Sequence, residues 1–220
     1  EWEDQASFYL GKLEQQRKHL DKALSWFDRV KDGRLGLEAN MAAIAMLIGA
    51  QKFDEVELRL QGMESRVPEQ RLKILMLKAE IFNQMGLYQA AFDELSVALK
   101  DVPDEPDVLY ARALIAEKLD KLEILEADLS KILLKAPDDV RALNALGYTL
   151  ADRTQRFDEA ERYLQKALQL QPDEPVVIDS FGWLLYKKGL PQQALPYLKR
   201  AYEKQAETEI AAHIIEVLWM

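Results

Sequence analysis

Small residues recur through this chain at a near-constant interval. They stand at Gly11, Ala45, Ala79, Ala113, Gly147 and Gly182, at steps of 34, 34, 34, 34 and 35 residues. A period of that length, sustained over most of 220 residues, is the mark of a stack of helical hairpins. Each hairpin buries its apolar face only against its neighbours, so the expected product is an extended surface and not an enclosed cavity.

Other positions keep the same interval. One series runs Ala23, Val56, Ala91, Leu125, Ala160 and Ala194, and another, four residues on, runs Phe27, Leu60, Leu95, Leu129, Leu164 and Leu198. The first series predicts one apolar stripe and the later pair a second, as two amphipathic helices per unit require. A small residue lets two helix backbones approach, and the apolar partner fills the groove. Pro68, Pro103, Pro137 and Pro172 then close successive units, since proline ends one helix and biases the preceding residue away from helical geometry.

These residues resemble the tetratricopeptide repeat. Ile178, Phe181, Gly182, Leu185, Ala194, Leu198 and Ala201 carry its motif, as do Leu75, Ala79, Phe82, Ala91, Leu95, Ala98 and Pro103. The resemblance implies an all-α fold, an α-α superhelix. Six helix-turn-helix repeats are expected at about 4–37, 38–71, 72–105, 106–139, 140–174 and 175–208, with a partial seventh over 209–220. No Ser-, Pro- or Gly-rich linker divides the chain, so 1–220 reads as one array. The departures are Leu125, where the family has Ala, and one extra residue in the inner turn around Asp152–Phe157.

The stretches 144–153 and 179–189 resemble more narrowly the tetratricopeptide lipoproteins of Gram-negative bacteria. That likeness implies a periplasmic protein tethered to the outer membrane, with a cytoplasmic location as the alternative. One kind in that group is an adaptor that brings a carboxyl-terminal processing protease to its substrates. The chain opens on Glu1-Trp2-Glu3 at a helix start and stops at Met220, so both ends read as cut from a longer protein.

Composition narrows the partners. The net charge is −9 and the isoelectric point about 4.9, whereas nucleic-acid binding draws on Lys and Arg to neutralise phosphates. This weighs against the RNA-reading pentatricopeptide family, whose repeat length is similar. The longest uncharged apolar run, Met41 to Ala50, is half a membrane span, so no direct membrane insertion is expected. The chain has no cysteine, and its two histidines, His19 and His213, lie far apart in sequence. Neither a catalytic thiol nor a clustered zinc site is therefore expected. No Gly-rich phosphate loop is present. The pairs Asp104-Glu105 and Asp173-Glu174 precede Pro106 and Pro175 and read as helix-start residues that complement the helix dipole. No catalytic residue, cofactor or metal is expected, and the partner is a protein or peptide.

The family resemblance places the binding groove on the first helix of each repeat, at positions −3, +1 and +4 from the small residue. Toward the carboxyl end this stripe gathers Tyr110, Asn144, Tyr148, Asp179, Trp183 and Tyr186, with Met76 and Asn83 earlier. Polar-tipped aromatics beside an Asn suit recognition, and an Asn amide can both donate to and accept from a peptide backbone. Asn144 and Asp179 have no evident core role, whereas Tyr148 and Trp183 also fit inter-helix packing. Chaperone carboxylate clamps of the family carry a set of Lys, Asn and Arg in the groove, whereas the +1 positions here contain no Asn and only Lys12 is basic. Ile210, Ile214 and Leu218 share one face of a terminal helix, which either caps the array or offers an apolar outer face to a second copy of the chain or to another protein. Three functions remain in view: an interaction scaffold, an assembly factor for outer-membrane or pilus machinery, and the arm of a larger enzyme.

Overall fold

The structure, a computed structural model, describes residues 2–31, 33–66 and 71–219, with the backbone alone for 64–66. Pro68 lies outside the described residues. Thirteen α-helices and no strand are found among the described residues. They pair as α1 (Trp2–Gln16) with α2 (Leu20–Phe27), α3 (Arg34–Gly49) with α4 (Phe53–Arg66), and α5 (Arg71–Gln84) with α6 (Tyr88–Asp101). The series continues with α7 (Pro106–Lys118) and α8 (Leu122–Lys135), α9 (Val140–Arg153) and α10 (Phe157–Leu170), and α11 (Pro175–Lys187) and α12 (Pro191–Lys204). A final helix, α13 (Thr208–Leu218), follows. The chain forms two compact units, residues 1–94 and 95–220, whose boundary falls inside α6 and not at a linker.

Within a hairpin the two periodic series meet. A Cβ built on Gly147 would lie 2.6 Å from Leu164 Cγ, one on Gly182 would lie 2.8 Å from Leu198 Cδ2, and one on Gly11 would lie 2.5 Å from Phe27 Cε1. Leu164 and Leu198 are fully buried, as are Ala160 and Ala194. The backbones are therefore as close as the side chain opposite permits. Ala45 departs from this rule. It is exposed, and Ala43 and Leu47 take the inward stripe of α3 instead. The preceding helix, α2, is 8 residues long, the shortest among the described residues.

The inner turns use one device. Lys18, Gln51, Gly86, Asp120 and Gly189 adopt left-handed φ values of 60°, 58°, 75°, 57° and 78°. The residue after each donates its N–H back across the helix end, as in Leu87 to Phe82 O (2.8 Å) and Leu190 to Leu185 O (2.9 Å). This geometry satisfies carbonyls that a helix end would otherwise leave open. The fifth hairpin breaks the pattern, because the extra residue leaves Thr154 extended. There Thr154 Oγ1 donates to Leu150 O at 2.5 Å and accepts from Arg156 N at 3.0 Å, replacing the missing cap.

The outer turns of the second unit use another. Lys131 Nζ donates to Pro103 O (2.6 Å) and pairs with Asp104 (2.8 Å), and Lys166 does the same to Pro137 O (2.7 Å) and Asp138 (2.8 Å). Arg200 repeats it on Pro172 O (2.6 Å) and Asp173 (3.1 Å). Asp104 and Asp173, at the helix starts, thus also anchor the following second helix. Hydrogen bonds from Lys131 and Lys135 hold the Asp104 carboxyl down at about 2. Pro106 and Pro175 do begin their helices, as expected.

Opposite these turns, the hairpin interior tolerates polar pairs. Lys78 meets Glu94 at 2.6 Å in the first unit, and Arg112 grips Asp128 with two bonds of 2.8 and 2.7 Å in the second. The matching locus of the sixth hairpin holds Phe181 edge-on to Tyr197, centroids 5.1 Å apart. One packing site therefore accepts either an ion pair or an aromatic pair.

The close approach makes a direct prediction. Alanine is the better helix former by about 1 kcal/mol, yet Gly147→Ala should destabilise the second unit by about 1–3 kcal/mol through overpacking. Thermal unfolding should show a larger drop for it than for Tyr148→Ala. A raised midpoint would remove Gly147 from the helix contact.

Candidate functional site

First helices of the second unit present their −3, +1 and +4 positions side by side. Tyr110, Leu114 and Glu117 of α7 stand beside Asn144 and Tyr148 of α9 and Val176 and Asp179 of α11, and Glu207 and Glu209 at the start of α13 close the end. Together they line a cleft of about 160 Å³. Ligand pockets for drug-sized molecules run to roughly 300–1,000 Å³, so this cleft is sized for one side chain and its adjoining backbone.

Its polar groups are largely unspent. Asn144 Oδ1 shows less than 1 Å² to solvent and has no hydrogen-bond partner. A buried acceptor left open costs about 1–3 kcal/mol, and a turn about the soft terminal torsion would bring it toward the cleft. Neither Tyr110 nor Tyr148 makes a hydroxyl hydrogen bond among the described residues. Burial pushes both hydroxyls above their ordinary value, and the carboxylates of Asp152, Glu209, Asp179 and Glu117 push Tyr148 further. The Arg141 guanidinium lies 5.2 Å from the Tyr110 ring centroid, held there by Asp107 at 3.1 Å.

Glu117 is the chemically exposed member. Its carboxyl is raised above the usual range, chiefly by burial, while a hydrogen bond from Thr149 Oγ1 at 3.3 Å pulls the other way. The Arg153 charge also favours ionisation, but that guanidinium is bonded to Asp120 at 2.5 Å. Asp152 and Glu209 add repulsion.

The structure brings Tyr110, Asn144, Tyr148 and Asp179 together and places the other expected residues elsewhere. Asp179, read from sequence as having no core role, has one: it is 6% exposed and holds His213 of α13 through contacts of 3.0 and 2.9 Å. Trp183 is likewise buried, stacked on the His213 ring at 4.1 Å between centroids. Its indole N–H donates to Asp152 Oδ1 at 3.0 Å. Tyr186 packs on Trp183 at 5.0 Å and reaches Glu216 at 3.3 Å. Met76 and Asn83 lie half-buried on α5 in the first unit. His213 stands 34 residues after Asp179, one further step of the −3 series, and that spacing is the sequence signal for its place beside Asp179.

Residues 140–174, which hold Asn144, Tyr148 and the altered inner turn, match the family model described as tetratricopeptide repeat. The fold is that of tetratricopeptide-repeat proteins. A TPR repeat-containing protein of Pseudomonas aeruginosa is 37% identical over 213 residues, 97% of this chain. The chain spans 36% of that relative's length. A tetratricopeptide-repeat protein from Parabacteroides merdae superposes with a TM-score of 0.69 at 16% identity, over 99% of this chain and 90% of that one. YrrB, described as a TPR protein with an unusual peptide-binding site, superposes with a TM-score of 0.52 at 18% identity, covering 96% of this chain and 90% of its own. Among the described residues no helix is long and apolar enough to cross a membrane. Nor does any group of three or more His, Cys, Asp or Glu there stand where it could hold a metal ion.

The raised Glu117 carboxyl has a defined consequence for stability. A carboxylate whose folded value exceeds its unfolded one costs stability above the folded value. That cost fades as pH falls through it and is gone below the unfolded value of about 4.5. Glu117→Gln keeps the acceptor for Thr149 and removes the charge. It should raise the unfolding midpoint at pH 7, with the gain shrinking to nothing near pH 4. An unchanged or lowered midpoint at pH 7 would show that Glu117 is not strained by burial.

Proposed function

We propose that this chain is a non-catalytic scaffold that holds an extended segment of another protein in the cleft of its second unit. The carrying observation is the set of unspent groups there: the unpartnered Asn144 Oδ1 between two tyrosines whose hydroxyls make no bond among the described residues. Such groups cost stability in the free chain and recover it when a peptide backbone supplies donors and acceptors. Tyrosine and asparagine side chains suit that task, since each combines contact area or an amide with a directional polar tip. The peptide-binding site described for YrrB supports this use of the fold.

The finer reading is an adaptor in the periplasm of a Gram-negative bacterium, tethered to the outer membrane through the longer protein and presenting substrates to a carboxyl-terminal processing protease. The stretches 144–153 and 179–189 support it, through their resemblance to the tetratricopeptide lipoproteins of that group.

Affinity capture from a Gram-negative envelope extract, read by mass spectrometry, tests both levels. The baits are the unmutated chain and Asn144→Ala/Tyr148→Ala, with circular dichroism confirming equal helicity. A carboxyl-terminal processing protease or its substrates should be enriched at least about tenfold on the unmutated bait, the change that 1.4 kcal/mol produces. Equal capture by both baits would move binding away from the cleft. Cleft-dependent capture of proteins unconnected with proteolysis would end the adaptor reading alone.

A further inference from the structure

The cleft also carries information about which segment it takes. We infer that the bound segment inserts a lysine or arginine side chain between Tyr110 and Tyr148, with its cation against Glu117 and Glu209. This rests on the cleft being the binding site and adds the chemistry that selects the occupant.

The charges around the cleft leave a surplus of one sign. Each nearby Arg and Lys in the cleft's surroundings is already committed: Arg141 to Asp107 at 3.1 Å, Arg153 to Asp120 at 2.5 Å and Lys187 to Asp152 at 3.3 Å, while Asp179 is taken up by His213 at 2.9 Å. Glu207 accepts from Gln205 Nε2. Glu117 and Glu209 line the same cleft and form no ion pair among the described residues. They repel each other across it, and the buried one is held in an environment that disfavours its charge. A cation entering the cleft offsets the repulsion and stabilises the charged form of Glu117, which no neutral side chain does.

Shape and flanking chemistry agree. The volume of about 160 Å³ fits one long side chain. Leu114, Val176 and Ile210 give the methylene stem apolar contact, as long basic side chains require. The Tyr110 and Tyr148 rings offer faces to a cation, and Asn144 Oδ1 is an acceptor without a donor. A segment anchored only by its backbone would satisfy the asparagine and leave the two carboxylates unanswered.

The experiment uses short peptides of mixed sequence, acetylated and amidated at their ends, with one fixed central residue: lysine, arginine, acetyl-lysine or norleucine. Retention on the immobilised full chain is measured for each set, on the unmutated protein, on Glu117→Gln/Glu209→Gln and on Tyr148→Ala. Free lysine amide as competitor separates a peptide-borne cation from a small amine. The lysine and arginine sets should be retained about tenfold over the acetyl-lysine and norleucine sets. That preference should vanish in Glu117→Gln/Glu209→Gln, fall with added salt, and resist lysine amide.

Equal retention of all four sets overturns the inference. If Tyr148→Ala then weakens all four alike, the cleft reading stands without the charge selection, and if it weakens none, the cleft reading fails too. Displacement by lysine amide at concentrations comparable to the peptides also overturns it, since a free amine and not a protein segment would then suffice. Circular dichroism and an unfolding midpoint at or above that of the unmutated chain for Glu117→Gln/Glu209→Gln separate lost selection from a folding defect.

Discussion

Everything else in the molecule depends on how closely the two helices of a hairpin approach. Where Gly147 faces Leu164 and Gly182 faces Leu198, there is no room for even one more carbon. That contact fixes which face of each first helix turns inward. It therefore fixes which residues are left over on the neighbouring stripe. Asn144 and Tyr148 are not placed by any interaction of their own: they flank Gly147 at −3 and +1, and the helix backbone carries them wherever that glycine must go. A surface stripe built this way is positioned by its scaffold, and its own polar tips can stay unspent.

That division of labour explains why the site tolerates groups that lower stability. Glu117 carries a charge that burial disfavours, and Asn144 carries a hydrogen-bond acceptor with no donor. Neither defect spreads, because a repeat array sums the contributions of its units and their interfaces. The well-packed Ala160–Leu164 and Ala194–Leu198 contacts next door and the Lys and Arg anchors on the outer turns offset the local cost. The same tolerance appears inside the hairpins, where a bidentate Arg112–Asp128 pair occupies a locus that Phe181 and Tyr197 fill elsewhere. A buried pair of this kind is weak evidence for added stability, and its presence shows how much the helix contacts beside it can carry.

The fold was legible in the sequence because its cause is periodic. The inward series from Ala23 to Ala194 and from Phe27 to Leu198 is buried throughout. The spacing failed at Ala45, which is exposed while Ala43 and Leu47 face inward, because a period counted in residues does not fix which face of a helix packs. The extra residue before Phe157 was visible, but its remedy, a threonine cap in place of a left-handed turn, was not, because that depends on a hydroxyl finding the Leu150 carbonyl in space. The site was half legible. Tyr110, Asn144 and Tyr148 follow from the marker positions alone. Asp179 and Trp183 obey the same arithmetic, yet they are covered, because exposure on one first helix is decided by the first helix that follows it. The series needed one more step, to His213.

That last step changes what α13 is. A terminal helix that merely capped the array would need only apolar contacts such as Ile210 against Ile178 and Ala201. Instead α13 places His213 between Asp179 and Trp183, closing the stripe at its carboxyl end, and its first turn brings Glu209 to the rim of the cleft. The first effect covers the stripe on α11, and the second supplies one of the cleft's two unpaired charges. Removing the helix would lengthen the groove, expose a tryptophan and a buried carboxylate, and take away half of the charge that we assign to selection. The site is therefore a property of three consecutive first helices plus the start of the next, and α13 belongs to it as fully as α9 does.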